Sequence, residues 1–394
     1  MRALCAALGD PQLEYRTLHV VGTNGKGSVA LACEAILEST GLRTGVCVSP
    51  HLWEWRERTR IGGGMIGRAE FEAAVADVAV AVRELERSWA DDERVTQFEA
   101  AVAASFVAFR DAGVDAAVIE AGLGGRLDAT NVISSTATAL TSVALDHTEW
   151  LGESAEEIAG EKLAVLEPGT TLVTGRLEPE IARLAAEHAD QLDAELRVAG
   201  ELPEGAGGED LVPYMRRNAA VAHELASVVA KPSLKQVHAA LAGLGIRGRA
   251  ELIDGRPPII ADAAHNTEGA EALAEALEQI APGRPRVACI ALLSDKDADG
   301  IAAALAPALD RVVCSEARPG PAMGRPGAEP MPAATLAERF ARFGVEAEAV
   351  GDPLMALDRA RRLALDLDGV AICAGSHYLL RHLWTGKRDQ SSST

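Results

Sequence analysis

No run of about 18 apolar residues occurs in this 394-residue chain, which excludes a membrane-spanning helix as its organising element. The opening "MRALCAALGDPQ" lacks a basic start followed by a long apolar core, so no export signal is read and a cytoplasmic location is expected. The six cysteines (Cys5, Cys33, Cys47, Cys289, Cys314 and Cys373) include no C-x-x-C pair and sit mostly in apolar runs. They read as small core residues in a reducing compartment, and they offer no metal site. Positive charge is scarce: 38 Lys and Arg face 58 Asp and Glu, for a formal charge of -20, with no Lys/Arg stripe. This excludes nucleic acid or an anionic membrane as partner, so any phosphate must be gripped locally. No internal repeat has a fixed period, the Ala-rich stretches are a compositional bias, and the tail "GKRDQSSST" is expected to fray.

What remains is a globular composition, 48% hydrophobic and 24% charged, on a chain long enough for two domains. β-Branched runs alternate with segments of helical periodicity. "TLHVVGT", "TGVCVS", "VDAAVIEAG" and "TATALTSVA" read as strands; "SVALACEAILESTG", "RAEFEAAVADVAVAVRELERS" and "TQFEAAVAASFVAFRDAG" read as helices. Such alternation predicts a mostly parallel sheet covered on both faces. A second series begins near residue 258, with strands "PPIIADAA", "RVACIALL", "RVVCSEA" and "GVAICAG" and helices "TEGAEALAEALEQI" and "PLMALDRARRLALD". Between the series lie the acidic, Gly-rich "AGELPEGAGGED" and a helical "MRRNAAVAHELASVVA", which place a boundary at "GLGIRGR", residues 243–249.

The stretch "HVVGTNGKGSVA", residues 19–30, follows one expected strand and opens an expected helix. In that context Gly22, Thr23, Asn24, Gly25, Lys26, Gly27 and Ser28 form a phosphate-loop candidate. Exposed N–H groups and the helix start attract the anion, and Lys26 neutralises it. The spacing departs from G-x-x-x-x-G-K-[ST], since Gly27 separates Lys26 from Ser28; a tight strand-to-helix turn with an exposed lysine is the alternative. Phosphoanhydride chemistry also needs a divalent cation, and Mg2+ takes carboxylate and hydroxyl oxygens while keeping water. Candidates stand at strand ends: Glu120 before the turn "AGLGGRLDATN", and Asp146 with His147 in "VALDHTEWLG". Taken singly, Glu120 also suits a solvent-facing carboxylate and His147 an ordinary loop histidine.

Together these motifs resemble the folylpolyglutamate synthase and dihydrofolate synthase family, within the Mur-type ATP-dependent amide ligases. "GTNGKGS" (22–28), "SPHL" (49–52), "ERTRI" (57–61), "QFE" (97–99), "EAGLGGRLDATN" (120–131), "DHTEWLG" (146–152), "GEK" (160–162), "GRAE" (248–251), "DAAHN" (262–266), "SDKD" (294–297) and "AGS" (374–376) run in family order over nearly the whole chain. The resemblance implies an α/β fold. An N-terminal P-loop ATPase-type domain with a mostly parallel sheet would span residues 1–247, and a smaller Rossmann-like, glutamate ligase-type domain 248–394.

The same resemblance assigns roles. Thr23, Asn24, Gly25, Lys26, Gly27 and Ser28 would bind ATP together with Asn218, Arg249 and Asp262, and Arg249 would reach phosphate from the second domain. Ser49, Glu120 and His147 would hold Mg2+. Lys162 maps to a family lysine that is often carbamylated and supports a second metal, although Leu163-Ala164 replaces the usual Ala-Gly. Pro50, His51, Arg126, Asp128, Asp146, Glu149 and Trp150 would meet the acceptor substrate. Trp53, Trp55 and Trp150 suit stacking on a pterin and packing equally, and His51 is similar. Asp262 and His265 would lie near the incoming glutamate and orient or deprotonate its amine. The catalytic set is therefore Lys26, His147, Lys162, Asp262 and His265. Met215 to Arg217 replace the His-Gln that usually precedes Asn218, and Arg56 stands where an asparagine is usual.

The reaction so implied is ATP-dependent ligation of L-glutamate to dihydropteroate or a reduced folate through an acyl phosphate, by a monomer using ATP and Mg2+. Two alternatives stay open: a P-loop switch protein, and a Mur-type ligase that joins an amino acid to a different carboxylate.

Overall fold

The computed structural model describes residues 1–87, 89, 93–317 and 328–384. Ser88, which closes the expected helix 68–88, and the tail 386–394 lie outside the described residues. The chain divides into two units: Met1–Leu211 with Met215–Leu244, and Val212–Tyr214 with Gly245–Thr394.

The first unit carries eight strands: β1 (Arg16–Val21), β2 (Thr44–Cys47), β3 (Thr59–Ile61), β4 (Gly64–Met65), β5 (Ala116–Glu120), β6 (Ser135–Leu140), β7 (Thr171–Thr174) and β8 (Glu195–Val198). Their order in the sheet is β4-β3-β2-β5-β1-β6-β7-β8. In that order pairing is parallel from β2 across to β8, and antiparallel between β2 and β3 and between β3 and β4. All of β5 and all but Arg16 of β1 are buried, as near-continuous apolar strands must be when helices cover both faces of a sheet. On one face, Val29, Cys33, Ile36 and Leu37 of the helix Lys26–Ser39 join Ala219, Ala222 and Leu225 of the helix Pro213–Val229 in a core with Leu18 and Val20 of β1.

The chain leaves β1 for β2 on one side, and β6 lies on the other, so the carboxyl end of β1 is a topological switch point, where open α/β sheets bind ligands. The phosphate-loop candidate sits there. The expected strand 136–144 stops at Leu140; Thr141 N still donates to Val21 O of β1, and beyond it Ser142 and Ala144 bond to that loop. The "QFE" segment opens the helix Gln97–Ala112, where Glu99 and Thr96 cap each other reciprocally.

The second unit has β9 (Glu251–Ile253), β10 (Ile259–Ala261), β11 (Arg286–Ile290), β12 (Arg311–Cys314), β13 (Glu346–Ala349) and β14 (Val370–Ala374) in the order β13-β12-β11-β14-β10-β9. All pairs are parallel except β9 with β10. Its core gathers Ile260, Leu273, Leu277, Ile290, Ile301, Leu336, Phe340 and Ile372. Among the described residues, no helix is long and apolar enough to cross a membrane.

One buried histidine links sheet to loop. His19, in β1, is 1% exposed, with Nε2 2.8 Å from Thr130 Oγ1. The Thr130 hydroxyl donates its only proton to Asp128 Oδ1 at 2.6 Å, so His19 Nε2–H is the donor to it. Burial lowers the His19 pKa from 6.5 to about 3. The unfolded chain gains a proton on this residue near pH 6.5 and the folded chain does not. Stability from the neutral imidazole is therefore present above pH 6.5 and lost as pH falls toward 3. Denaturant unfolding should show about 2 kcal/mol less stability at pH 5 than at pH 7.5 from this residue alone. His19→Gln, which does not titrate, should reduce the loss by that amount; an unchanged loss would contradict the assignment.

Candidate functional site

In the first unit the loop after β1 is shaped by two close approaches that only glycine permits. Gly22 has φ +149° and Gly25 φ +85°; a Cβ would lie 1.9 Å from Thr141 Oγ1 at the first and 2.5 Å from Asn218 Oδ1 at the second. Backbone and side-chain bonds then pin the loop to residues 141–144. Thr23 N donates to Ser142 O (2.8 Å), Asn24 N to Ser142 Oγ (3.1 Å), Thr141 Oγ1 to Asn24 O (2.5 Å) and Ala144 N to Thr23 Oγ1 (3.1 Å).

Lys26 Nζ folds back on its own loop, donating to Gly22 O at 3.0 Å and Thr23 O at 3.1 Å. Lys162, 3% exposed on the helix Ala155–Leu163, donates from Nζ to the same Gly22 oxygen at 2.9 Å. Two ammonium groups thus share one carbonyl. An anion in the loop would relieve their mutual repulsion. Ser28 Oγ is buried with no hydrogen-bond partner, an unsatisfied hydroxyl at the start of the helix that the loop opens.

Glu120, at the end of β5, is 5% exposed. Its Oε2 accepts from Ser49 N at 2.8 Å and would stand 3.4 Å from a Cβ on Gly27. Ser49, Glu120 and the loop therefore meet. His147 is a non-glycine residue in the left-handed region (φ 51°); Asp146 Oδ1 accepts from its backbone N at 2.9 Å. Among the described residues, no three His, Cys, Asp or Glu side chains cluster as a metal cage. One buried carboxylate against the loop and the Ser49 backbone, with the unpartnered Ser28 hydroxyl one residue past Gly27, suits instead a hard cation that keeps most of its waters.

The expected acceptor residues divide. His51 is 4% exposed and its Nδ1 accepts from Arg58 Nε at 2.9 Å. Burial and Arg58 lower its pKa to about 4, so His51 is neutral and carries its proton on Nε2. Trp55 packs against it, with ring centroids 4.8 Å apart, and the Arg58 guanidinium lies 4.6 Å over the Trp55 ring. Arg56 holds Glu54 through two bonds and donates to Ile66 O, which ties the loop to the segment after β4. Asp128 is occupied within its own loop, accepting from Leu123 N, Thr130 N and Thr130 Oγ1. Arg126 clamps Glu161 through Nε at 2.9 Å and through its backbone N at 3.0 Å. Both shape the "GLGGRLD" turn. Pro50 and Glu149 are exposed, and Trp150 is 65% exposed.

In the second unit Asp262, one residue past β10, is 4% exposed. Its Oδ2 accepts from Tyr214 Oη (2.6 Å) and Ala250 N (2.8 Å), and its Oδ1 from Ala264 N (2.8 Å). Burial raises its pKa, against the opposing pull of Arg249 and these donors. Desolvation and the Asp262 charge also raise the pKa of Tyr214 well above 10. Ala250 has φ 47° and is held by its bond to Asp262; Ala263 N donates to Gly248 O at 2.9 Å. The turn carrying Arg249 is thus fixed from both sides. His265 Nδ1 lies 2.9 Å from Ala263 O. A carbonyl can only accept, so Nδ1 bears the proton and Nε2 is the basic nitrogen. Tyr214 and His377 belong to this group without having been singled out by motif. Tyr214 stands one helical turn before Asn218 and His377 directly after "AGS", and those were the only signals.

Comparison with known proteins follows the same lines. Residues 248–377 match the Mur ligase, glutamate ligase domain family. The chain is 32% identical to the dihydrofolate synthase/folylpolyglutamate synthase of Mycobacterium tuberculosis, over 95% of this chain and 88% of that one. The M. tuberculosis folylpolyglutamate synthase structure complexed with ADP superposes with a TM-score of 0.87 at 31% identity, covering 97% of this chain and 92% of that one. A bifunctional folylpolyglutamate synthase/dihydrofolate synthase with Mn, AMPPNP and L-glutamate bound gives 0.81 at 31% identity, covering 97% and 92%. The shared sequence, fold and order of motifs place this chain in the folylpolyglutamate synthase/dihydrofolate synthase family.

Proposed function

We propose that this protein is an ATP-dependent amide ligase that joins L-glutamate to the carboxylate of a pteroate or folate. The observation that carries the reading is the convergence of Lys26 and Lys162 on the Gly22 carbonyl beside the unpartnered Ser28 hydroxyl and the buried Glu120. Such a cationic, backbone-lined turn at a switch point is built for a polyphosphate.

The residues then take these roles. Backbone N–H groups of residues 23–28 and the Lys26 ammonium hold the phosphates; Asn218, against Gly25, contacts the nucleotide. Glu120, with Ser49 and His147, would hold Mg2+, which would supply positive charge to neutralise the phosphate oxygens. Lys162 adds buried positive charge as an ammonium; as a carbamate it would support a second metal. An oxygen of the acceptor carboxylate attacks the γ-phosphorus and ADP leaves, giving an acyl phosphate. The glutamate amine attacks the acyl carbon, phosphate leaves, and the proton shed by the amine passes to His265 Nε2. Asp262 holds the Arg249 turn and faces the amine as its counter-charge. Neutral His51 donates from Nε2 to the acceptor, whose ring lies along Trp55. Arg249 offers its guanidinium fork to phosphate. Six buried, free cysteines are in keeping with a reducing cytoplasm.

Incubation with ATP, Mg2+, L-glutamate and either dihydropteroate or tetrahydrofolate, followed by mass spectrometry, tests the reading. A product heavier by one glutamyl residue is expected. Lys26→Ala should lower its rate by about 10²–10³-fold with the fold intact. Ligation of another amino acid in preference to glutamate, or near-normal turnover by Lys26→Ala, would overturn the reading. Glu120→Gln should raise the Mg2+ concentration for half-maximal rate by about tenfold or more, read by metal titration at saturating ATP.

A further inference from the structure

His377 stands outside every role assigned above. Three neighbouring strands bring it to the Asp262 group. β10 and β14 run parallel with Ala261 opposite Cys373, so His265 and His377 lie equally far, four residues, past one register pair. β9 runs antiparallel to β10 with Glu251 opposite Ala261, which puts Arg249 beside the same edge. The bonds from Ala250 N to Asp262 and from Ala263 N to Gly248 O hold it there.

The His377 ring is partly buried and makes no hydrogen bond to another described residue. Burial, then Arg249, then His265 lower its pKa well below 6.5, so it is neutral at physiological pH, with one N–H to give. His265 already has its Nδ1 on Ala263 O. Among these side chains, the uncommitted donor within reach of the Arg249 charge is His377. A neutral N–H beside a guanidinium matches an oxyanion, while an ammonium group is repelled by Arg249.

Resting on the ligase reading above, we propose that His377 is a substrate-contacting residue that, together with Arg249, binds an oxyanion: a carboxylate of the incoming amino acid or a phosphate oxygen of the nucleotide.

The test compares His377→Leu and His377→Gln with the wild-type enzyme in steady-state ligation, varying L-glutamate and ATP separately. Loss of one hydrogen bond to a charged group should raise one KM by about tenfold in His377→Leu. His377→Gln, which keeps an N–H donor, should recover most of the loss, a rescue that a packing role would not produce. A rise confined to the glutamate KM assigns the carboxylate, and a rise confined to the ATP KM assigns the phosphate; either supports the proposal. Both KM values within twofold of wild type in a folded His377→Leu protein, judged by its thermal transition, would overturn it. Should His377→Leu fail to fold, the same comparison is made with His377→Phe, which also lacks a donor. Wild-type enzyme that forms no glutamyl product would overturn the ligase reading itself and this inference with it. An active wild type with unmoved constants overturns only the role of His377.

Discussion

The close approach of two chain segments to Gly22 and Gly25 is the constraint on which the first unit depends. β1 is buried along nearly its whole length, so its chain can leave the sheet only at the carboxyl end, and there the turn must pass against Thr141 on one side and Asn218 on the other. Any side chain at either glycine would displace it. With the turn in place, its carbonyls collect Lys26 and Lys162, its helix start leaves Ser28 without a partner, and Glu120 comes against Gly27. An electropositive hollow with a carboxylate at its rim is the chemical result, which an anion accompanied by a hard cation completes.

The second unit solves a different problem with one buried carboxylate. Asp262 is costly to bury as an anion, and the cost is offset in part by three hydrogen bonds and the Arg249 charge. Those bonds also hold Ala250 in a left-handed conformation that a non-glycine residue seldom adopts. The strain and the desolvation are linked: the carboxylate that needs donors is the one that fixes the turn presenting Arg249.

Much of this was legible in residue order. The β1 run, the loop and its helix, and the strands ending at Glu120 and before Asp262 follow from β-branched runs, glycine turns and helical spacing, and the folate-ligase motifs named the residues near the loop. The polar edge strands β8, "ELRV", and β13, "EAEA", carry too little apolar periodicity to be seen. Motif membership could not separate residues that face a ligand from those that build the turn. Asp128 bonds to Thr130 two residues on, a local pattern with no distinct spacing, and Arg126 Nε donates to Glu161, 35 residues away. Tyr214 was invisible because its partner Asp262 lies 48 residues away. No periodicity encodes such a pairing.

The central claim is that the loop after β1 serves transfer of the γ-phosphate to a carboxylate. Ligation with an acceptor labelled with 18O in its carboxylate tests it directly. One 18O atom should appear in the inorganic phosphate for each amide formed, because the acyl phosphate breaks at its carbon–oxygen bond when the amine attacks. Phosphate free of label, with amide still produced, would contradict the account.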